Sequence, residues 1–243
     1  MAMQRNIPSD TTPASGVIDW SLQQYLDRLV MTTSFGVHSA VLLDLVTGVV
    51  PGIPVLFVDT GFHFKETYTY ADELTERFSL NLVVCQSDVS PAWWVARHGE
   101  LWQEGDEGLD EYDRMRKVVP LRREMAKRGV AAWLSGVRRS QTTFRESLQV
   151  VEDRRGFSKI HPLLSWTDQD MEQYLSDHDL PRHPLQAEGY ASIGDHTTTL
   201  PSSGDESGRS GRFMGKKEEC GIHTLLDGEE PVPEIVISAQ GGE

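Results

Sequence analysis

The chain has 243 residues, 38% of them apolar, with 23 Lys and Arg against 37 Asp and Glu and a formal net charge of −14. That is enough apolar residue for the core of one large domain, no run is long enough to span a bilayer, and the acidic balance argues against nucleic acid as a general partner. The two cysteines, Cys85 and Cys220, support neither a disulfide framework nor a four-thiolate metal site, and the Pro/Ser/Thr-rich start lacks the apolar run of a secretory leader, so a reducing cytoplasm is expected.

Ser21 to Leu29 reads as a short helix, with Leu22, Tyr25, Leu26 and Leu29 on one stripe, and Leu29 to Thr33 as a β-capable run. Ser34-Phe35-Gly36-Val37-His38-Ser39 follows, then a helix over Ala40 to Val50. A strand, a loop of small and hydroxyl residues and a helix N-terminus let backbone N–H groups approach an anion around Ser34, Gly36 and Ser39. The loop lacks the P-loop pattern, and the same residues could simply turn the chain. Pro54 to Val58 is an apolar run of strand length ended by Asp59-Thr60-Gly61. A carboxylate, a hydroxyl and a glycine at such a strand end sit where open α/β sheets bind ligands, unless they only make the turn. Phe64 to Phe78 reads as a helix with Phe64, Tyr68, Ala71, Leu74 and Phe78 towards the sheet. Leu80 to Val84 reads as another buried strand leading to Cys85, a packing cysteine.

Ser90 to Gly108, with Trp93, Trp94 and Trp102, suggests a helix and loop packed on the body, and Leu109 to Arg128 a helix interrupted near Pro120. Between Arg114 and Lys159 lie 13 of the 23 Lys and Arg residues against four acidic ones. A basic centre in an acidic chain suits a compact pocket for a polyanionic small molecule; a solvated basic helix face is the alternative. Val130 to Ser135 reads as a strand. After it come Arg138, Arg139 and Arg145, whose guanidinium forks would sit at the ligand edge and suit phosphate oxygens. Ser158 to Leu164 is extended. Thr167 is an N-cap with Asp170 three residues on, opening a helix that ends at Leu180-Pro181. The alternation predicts an α/β fold, a mostly parallel sheet with helices on both faces.

Leu200 to Gly211 is Ser/Gly/Asp-rich, and beyond it Cys220 lies in a polar segment outside any apolar periodicity. A cysteine without a packing reason is a candidate nucleophile, or else an incidental surface thiol. His223, Lys216 and Lys217 would favour its thiolate, and Glu218 and Glu219 would oppose it. The expected organisation is a flexible N-terminus over 1–20, an α/β domain over 21–199, a flexible linker and mobile cysteine-bearing arm over 200–223, and an acidic tail over 224–243.

Taken together and in this order, several stretches resemble the PAPS/APS (3′-phosphoadenylyl sulfate/adenylyl sulfate) reductase family. They are Ser34-Phe35-Gly36, Asp59-Thr60-Gly61 with Phe64 to Tyr68, Lys117 to Leu121, Gly136 to Gln141, Glu188-Gly189-Tyr190 with Gly194-Asp195, and Arg212-Phe213 before Glu219-Cys220-Gly221-Ile222-His223. The resemblance implies an adenine nucleotide α-hydrolase-like fold and a PAPS-binding body. It also implies that Cys220 attacks the substrate's sulfur to give S-sulfocysteine, that reduced thioredoxin or glutaredoxin then releases sulfite, and that the protein is a cytoplasmic homodimer serving sulfate assimilation. Its substrate-binding residues would be Ser34, Phe35, Gly36, Ser39, Asp59, Thr60, Gly61, Lys117, Arg138, Arg139, Gln141, Arg145, Tyr190, Arg212 and His223. The adenylyl-sulfate-preferring relatives carry Cys-Cys pairs for an iron–sulfur cluster. Here Tyr112-Asp113 stand at the first pair's place and two cysteines cannot hold a cluster, which implies a cofactor-free enzyme for the 3′-phosphorylated substrate. A cluster-free adenylyl-sulfate reductase, an ATP pyrophosphatase-like transferase and a non-catalytic nucleotide-binding module are the competing readings.

Overall fold

A computed structural model describes residues 7–154, 156–202, 211–213 and 219–224, with no side chain at 223 or 224. Its centre is a six-stranded sheet in the order β3-β2-β1-β4-β6-β5. The strands are β1 (Leu29–Thr33), β2 (Pro54–Asp59), β3 (Asn81–Gln86), β4 (Ala132–Leu134), β5 (Val151–Arg154) and β6 (Phe157–Ile160). All neighbours are parallel except β5, which returns antiparallel to β6.

The period-two alternation of the central strands makes two cores. Leu29, Met31, Val55, Phe57, Ala132 and Leu134 face one way, and Val30, Leu56, Val58 and Trp133 the other. On the first face pack α1 (Ala14–Tyr25), α2 (Ser39–Val49), α3 (Lys65–Phe78) and α7 (Asp168–Asp177). On the second packs α6 (Val119–Lys127) through Leu121 and Met125. The Val-, Leu- and Phe-rich interior strands are therefore covered on both sides, as expected.

Several boundaries differ from the sequence reading. The first helix starts at Ala14 and buries Ala14, Val17 and Ile18 in the core, so the ordered body begins before residue 21. Leu26 is exposed because the chain turns out of the helix there with φ 46°. β3 is an edge strand with Val84 exposed, not a buried one. In α3 the fully buried residues are Thr67, Tyr70, Ala71 and Leu74, while Phe64, Tyr68 and Phe78 are half-buried. The break in the long central helix lies before Pro120: α5 (Gly105–Asp113) passes through a π-helical turn at Arg114–Val118 into α6, which accepts Pro120 in its first turn. Thr167 and Asp170 form the expected capping box. Among the described residues the α-helices also include α4 (Pro91–His98) and the short α8 (Gly221–Thr224). The Ser/Gly-rich stretch at 203–210 and the acidic tail from 225 lie outside the described residues; Leu200 N–H, before the former, donates to Gly211 O, after it, at 2.9 Å.

Where the chain goes one way from β1 to β2 and β3 and the other way to β4 and β6, a topological switch point opens at the carboxyl ends of β1 and β4. Segment 183–195 roofs this opening and is pinned by His183. The His183 Nδ1 accepts the Leu185 amide at 3.2 Å and its Nε2–H donates to Thr67 Oγ1 at 3.2 Å, an arrangement that requires the neutral ring. Burial lowers its pKa from 6.5 to about 4. The unfolded chain thus takes up a proton in a window where the folded chain does not, and stability falls as pH drops through it. Urea midpoints should decline from about pH 6.5 towards 4, less steeply in His183→Gln; equal slopes would contradict this role.

Candidate active site

A cavity of about 570 Å³ occupies the switch point, within the size range of small-molecule sites. The β1–α2 loop supplies one wall. Phe35 holds a positive φ of 48°, its N–H bonds to Thr33 Oγ1 at 3.1 Å, and its ring is buried edge-on against Phe57. That turn leaves Ser34, Gly36, His38 and Ser39 lining the cavity at the start of α2. Opposite lie Arg138, Gln141 and Arg145 beyond β4, with Asp168 and Glu172 of α7 at one end and Lys117, Asp195, Arg212 and Cys220 also on the wall.

One end is an aliphatic and imidazole–carboxylate cluster. His38 Nε2 bonds to Glu172 Oε1 at 3.0 Å, and Arg138 Nη2 reaches His38 Nδ1 at 3.3 Å and Asp168 Oδ1 at 2.6 Å. Burial lowers the His38 pKa, and Arg138's charge adds to this against Glu172 and Asp168. A ring that accepts from Arg138 and donates to Glu172 is a neutral ring.

The other end is built on Lys117. Its ammonium lies 2.8 Å from Asp113 Oδ1 and 2.8 Å from Asp195 Oδ2, all three side chains almost fully buried. Asp195 also accepts from Thr60 Oγ1 at 2.5 Å and Tyr112 Oη at 3.0 Å. Burial alone would raise the Asp195 pKa, but Lys117, His63 and the hydrogen bonds hold it well below the usual carboxylate range. Burial would lower Lys117, and the two aspartates reverse this. Asp113 Oδ2 accepts the Gly221 N–H at 3.0 Å, so the network reaches the cysteine segment. Cys220 is half-buried against the cluster of Phe62, Trp102, Leu109, Tyr112 and Phe213. Burial pushes its thiol up and the Asp113 charge adds to this; Lys117, the Ile222 amide and Arg212 oppose it.

Of the residues proposed from the sequence, Ser34, Gly36, Ser39, Thr60, Lys117, Arg138, Gln141, Arg145, Tyr190, Arg212 and Cys220 meet on this cavity. Four do not line it. Phe35 acts through its buried ring and backbone. Asp59 turns its carboxylate to the Gly61 amide, Tyr68 Oη and Gln86 Nε2, at 2.7–2.8 Å, so it builds the strand-end turn. Gly61 makes that turn at φ 76°, where a Cβ would lie 2.2 Å from Pro91 Cγ. Arg139 is anchored outside, to Leu148 O and Asp10 Oδ1, each at 3.0 Å. The side chain of His223, with Lys216, Lys217 and Glu218, lies outside the described residues. Cys85 is buried in β3, as expected of a packing residue.

The sequence reading passed over His38, Asp168, Glu172, Tyr112 and Asp113 as site residues. Asp113 stands four residues before Lys117, a spacing that pairs charges on a helix face and was a usable signal. Asp168 stands in the first turn of α7, and nothing local marks it as the partner of Arg138 thirty residues away.

The profile of the phosphoadenosine phosphosulfate reductase domain matches residues 28–201. A phosphoadenosine 5′-phosphosulfate reductase of Synechococcus is 49% identical over 212 residues, covering 86% of this chain and 91% of the relative. One of Photobacterium profundum is 44% identical over 218 residues, covering 90% and 86%. Among solved structures, the phosphoadenylyl-sulfate (PAPS) reductase of Candida auris in a phosphate complex superposes with a TM-score of 0.66 at 30% identity, covering 77% of this chain and 90% of that one. FMN adenylyltransferase of Candida glabrata shares the fold, with a TM-score of 0.58 at 18% identity over 87% of this chain and 72% of that one. The architecture is thus the α/β fold of the PAPS reductase, with a mostly parallel sheet covered by helices.

Two outcomes follow from the Lys117 network. Asp195→Asn should cost about 3–5 kcal/mol in unfolding free energy, the range for breaking a buried ion pair; an unchanged urea midpoint would contradict it. Asp113→Asn removes a charge that raises the Cys220 thiol pKa, so the alkaline limb of Cys220 alkylation should move to lower pH, followed by peptide mass against Cys85.

Proposed function

Because this chain belongs to the phosphoadenosine phosphosulfate reductase family, we propose that it reduces 3′-phosphoadenylyl sulfate with Cys220 as nucleophile. A reduced thioredoxin or glutaredoxin is the proposed electron donor, in assimilatory sulfate reduction. The observation that carries the reading is the placement of Cys220: it lies on the wall of the cavity at the sheet's switch point, together with Lys117, Arg145 and Arg212.

In this reading the nucleotide occupies the cavity with its sulfate towards Cys220. The thiol gives up its proton and its sulfur attacks the sulfate sulfur. The bond between that sulfur and the bridging oxygen breaks, and the electron pair leaves with the phosphate of adenosine 3′,5′-bisphosphate. The product is S-sulfocysteine. A thiolate of the external dithiol then attacks the Cys220 sulfur and expels sulfite, and the donor's second thiol resolves the mixed disulfide, returning the Cys220 thiol. The two electrons come from the dithiol. Cys85 is buried in β3 and does not line the cavity, which supports an external donor.

The thiol is held up by burial and by Asp113 before reaction. A protonated thiol limits oxidation and repulsion while an anionic sulfate enters, and Lys117 and Arg212 act against burial and Asp113 in favour of the thiolate. With two cysteines in the chain, the thiolates of an iron–sulfur cluster cannot be supplied from within it, so the reading needs no cluster.

Cys220→Ser should lose sulfite release while retaining adenosine 3′,5′-bisphosphate binding, and intact mass after mixing wild type with the substrate should show one added sulfonate group on a peptide containing Cys220. Sulfite release by the serine variant at the wild-type rate would overturn the mechanism, and a preference for adenylyl sulfate at equal concentration would overturn the 3′-phosphate assignment.

A further inference from the structure

We propose that Glu219, the residue before the nucleophile, is a positioning residue that seats Cys220 by docking into Arg145, and that Arg145 serves this docking rather than the nucleotide. The proposal rests on the assignment of Cys220 above and deepens it.

Each of the three Arg145 guanidinium nitrogens has a partner inside the protein. Its Nε donates to Glu219 Oε1 at 2.7 Å, its Nη2 donates to Glu219 Oε2 at 2.6 Å, and its Nη1 bonds to Gln141 Oε1. Thr142 Oγ1 adds a further donor to Glu219 Oε1 at 2.5 Å. Both charged side chains are about 95% buried, at 5% and 6% exposure. This is a two-pronged, charge-assisted clamp with one carboxylate oxygen held twice. A buried pair of this kind adds little net stability compared with an apolar pair, because both ions lose water; its attested use is to fix a register. Here the register is that of the residue next in the chain.

Two further contacts make the clamp specific for Cys220. On the far side of the thiol, the Gly221 N–H is held by Asp113 Oδ2 at 3.0 Å. The thiol is therefore bracketed by Glu219 on Arg145 and Gly221 on Asp113, and Asp113 is also a partner of Lys117. Gln141, whose Oε1 accepts from the Arg138 amide at 3.0 Å as well as from Arg145, fixes the receiving fork to the β4 strand end. A glutamate lengthens the reach of the chain to a fork on another element without moving the sulfur off the cavity wall. A misplacement of reactive groups by about 1 Å costs on the order of 10²-fold in rate, which sets the scale of the effect.

The test compares Glu219→Gln, Glu219→Asp, Arg145→Gln and the Glu219→Gln/Arg145→Gln double variant with wild type. Two readouts are used: the rate of Cys220 alkylation by iodoacetamide, followed by peptide mass with Cys85 as internal reference, and kcat and KM for sulfite release. The expected result is faster Cys220 alkylation in Glu219→Gln, a kcat lower by about 10²-fold at unchanged KM, and partial recovery in Glu219→Asp. Arg145→Gln should match Glu219→Gln, and the double variant should be no worse than either, because one interaction is removed in all three. The proposal is overturned if alkylation and kcat stay at wild-type values in Glu219→Gln, if the two single effects add, or if Arg145→Gln raises KM while Glu219→Gln does not. Failure of the Cys220 assignment is separable: sulfite release by Cys220→Ser would abolish that assignment and leave the alkylation comparison standing.

Discussion

A single buried ammonium holds the working end of this molecule together. Lys117 comes from the central helix run, Asp113 from the turn before it, Asp195 from the roof segment and Thr60 from the end of β2, and they meet within hydrogen-bond distance of one another. Removing charges from water in this way is expensive, and the arrangement persists because every oxygen of Asp195 is answered. Beside Asp195, Gly194 lies close under a second cation: a Cβ there would lie 2.3 Å from Arg212 Nη2, and the same guanidinium donates from Nη1 to Ile193 O at 2.6 Å.

The cations that line the cavity are not equally available to a ligand. Lys117 is matched by two carboxylates, Arg145 by Glu219, and Arg138 by Asp168, which is itself largely exposed. Arg212, on the same wall, donates to a backbone carbonyl, so a polyanion entering the cavity meets this guanidinium directly but must exchange partners with the carboxylates that hold Lys117, Arg145 and Arg138. Exchange of this kind favours ligands whose charges fall at the spacing of these pairs over ligands that are merely anionic, which is a source of selectivity among nucleotides.

The sheet was legible because its strands alternate with helical stripes and its interior runs are apolar on both faces, as in Pro54 to Val58. The loop Ser34 to Ser39, Arg138, Arg145 and Cys220 stood out as cavity residues because small, basic or thiol residues break such patterns. What stayed hidden was pairing between distant positions. Asp59 and Arg139 look like ligand residues by type and place, yet each is used up by neighbours that only the fold supplies: Tyr68 and Gln86 for one, Leu148 and Asp10 for the other. Conversely, Asp168 and Glu172 read as helix-surface acids until β4 brings Arg138 and the β1 loop brings His38 against them. The short strand β5 was missed because Glu152, Asp153 and Arg154 are charged, which an edge tolerates and an interior strand does not.

The π-helical turn at Arg114–Val118 widens the helix by one residue at the place where Arg116 and Lys117 are both buried side by side. The wider turn sets successive side chains at a somewhat smaller angle than the 3.6 residues per turn of a regular helix, which brings two adjacent cations nearer to one face. The segment is thus sensitive to its length more than to its composition. Losing one residue there would relax the coil into ordinary geometry and swing the ammonium off its two carboxylates, a change that no single side-chain replacement reproduces.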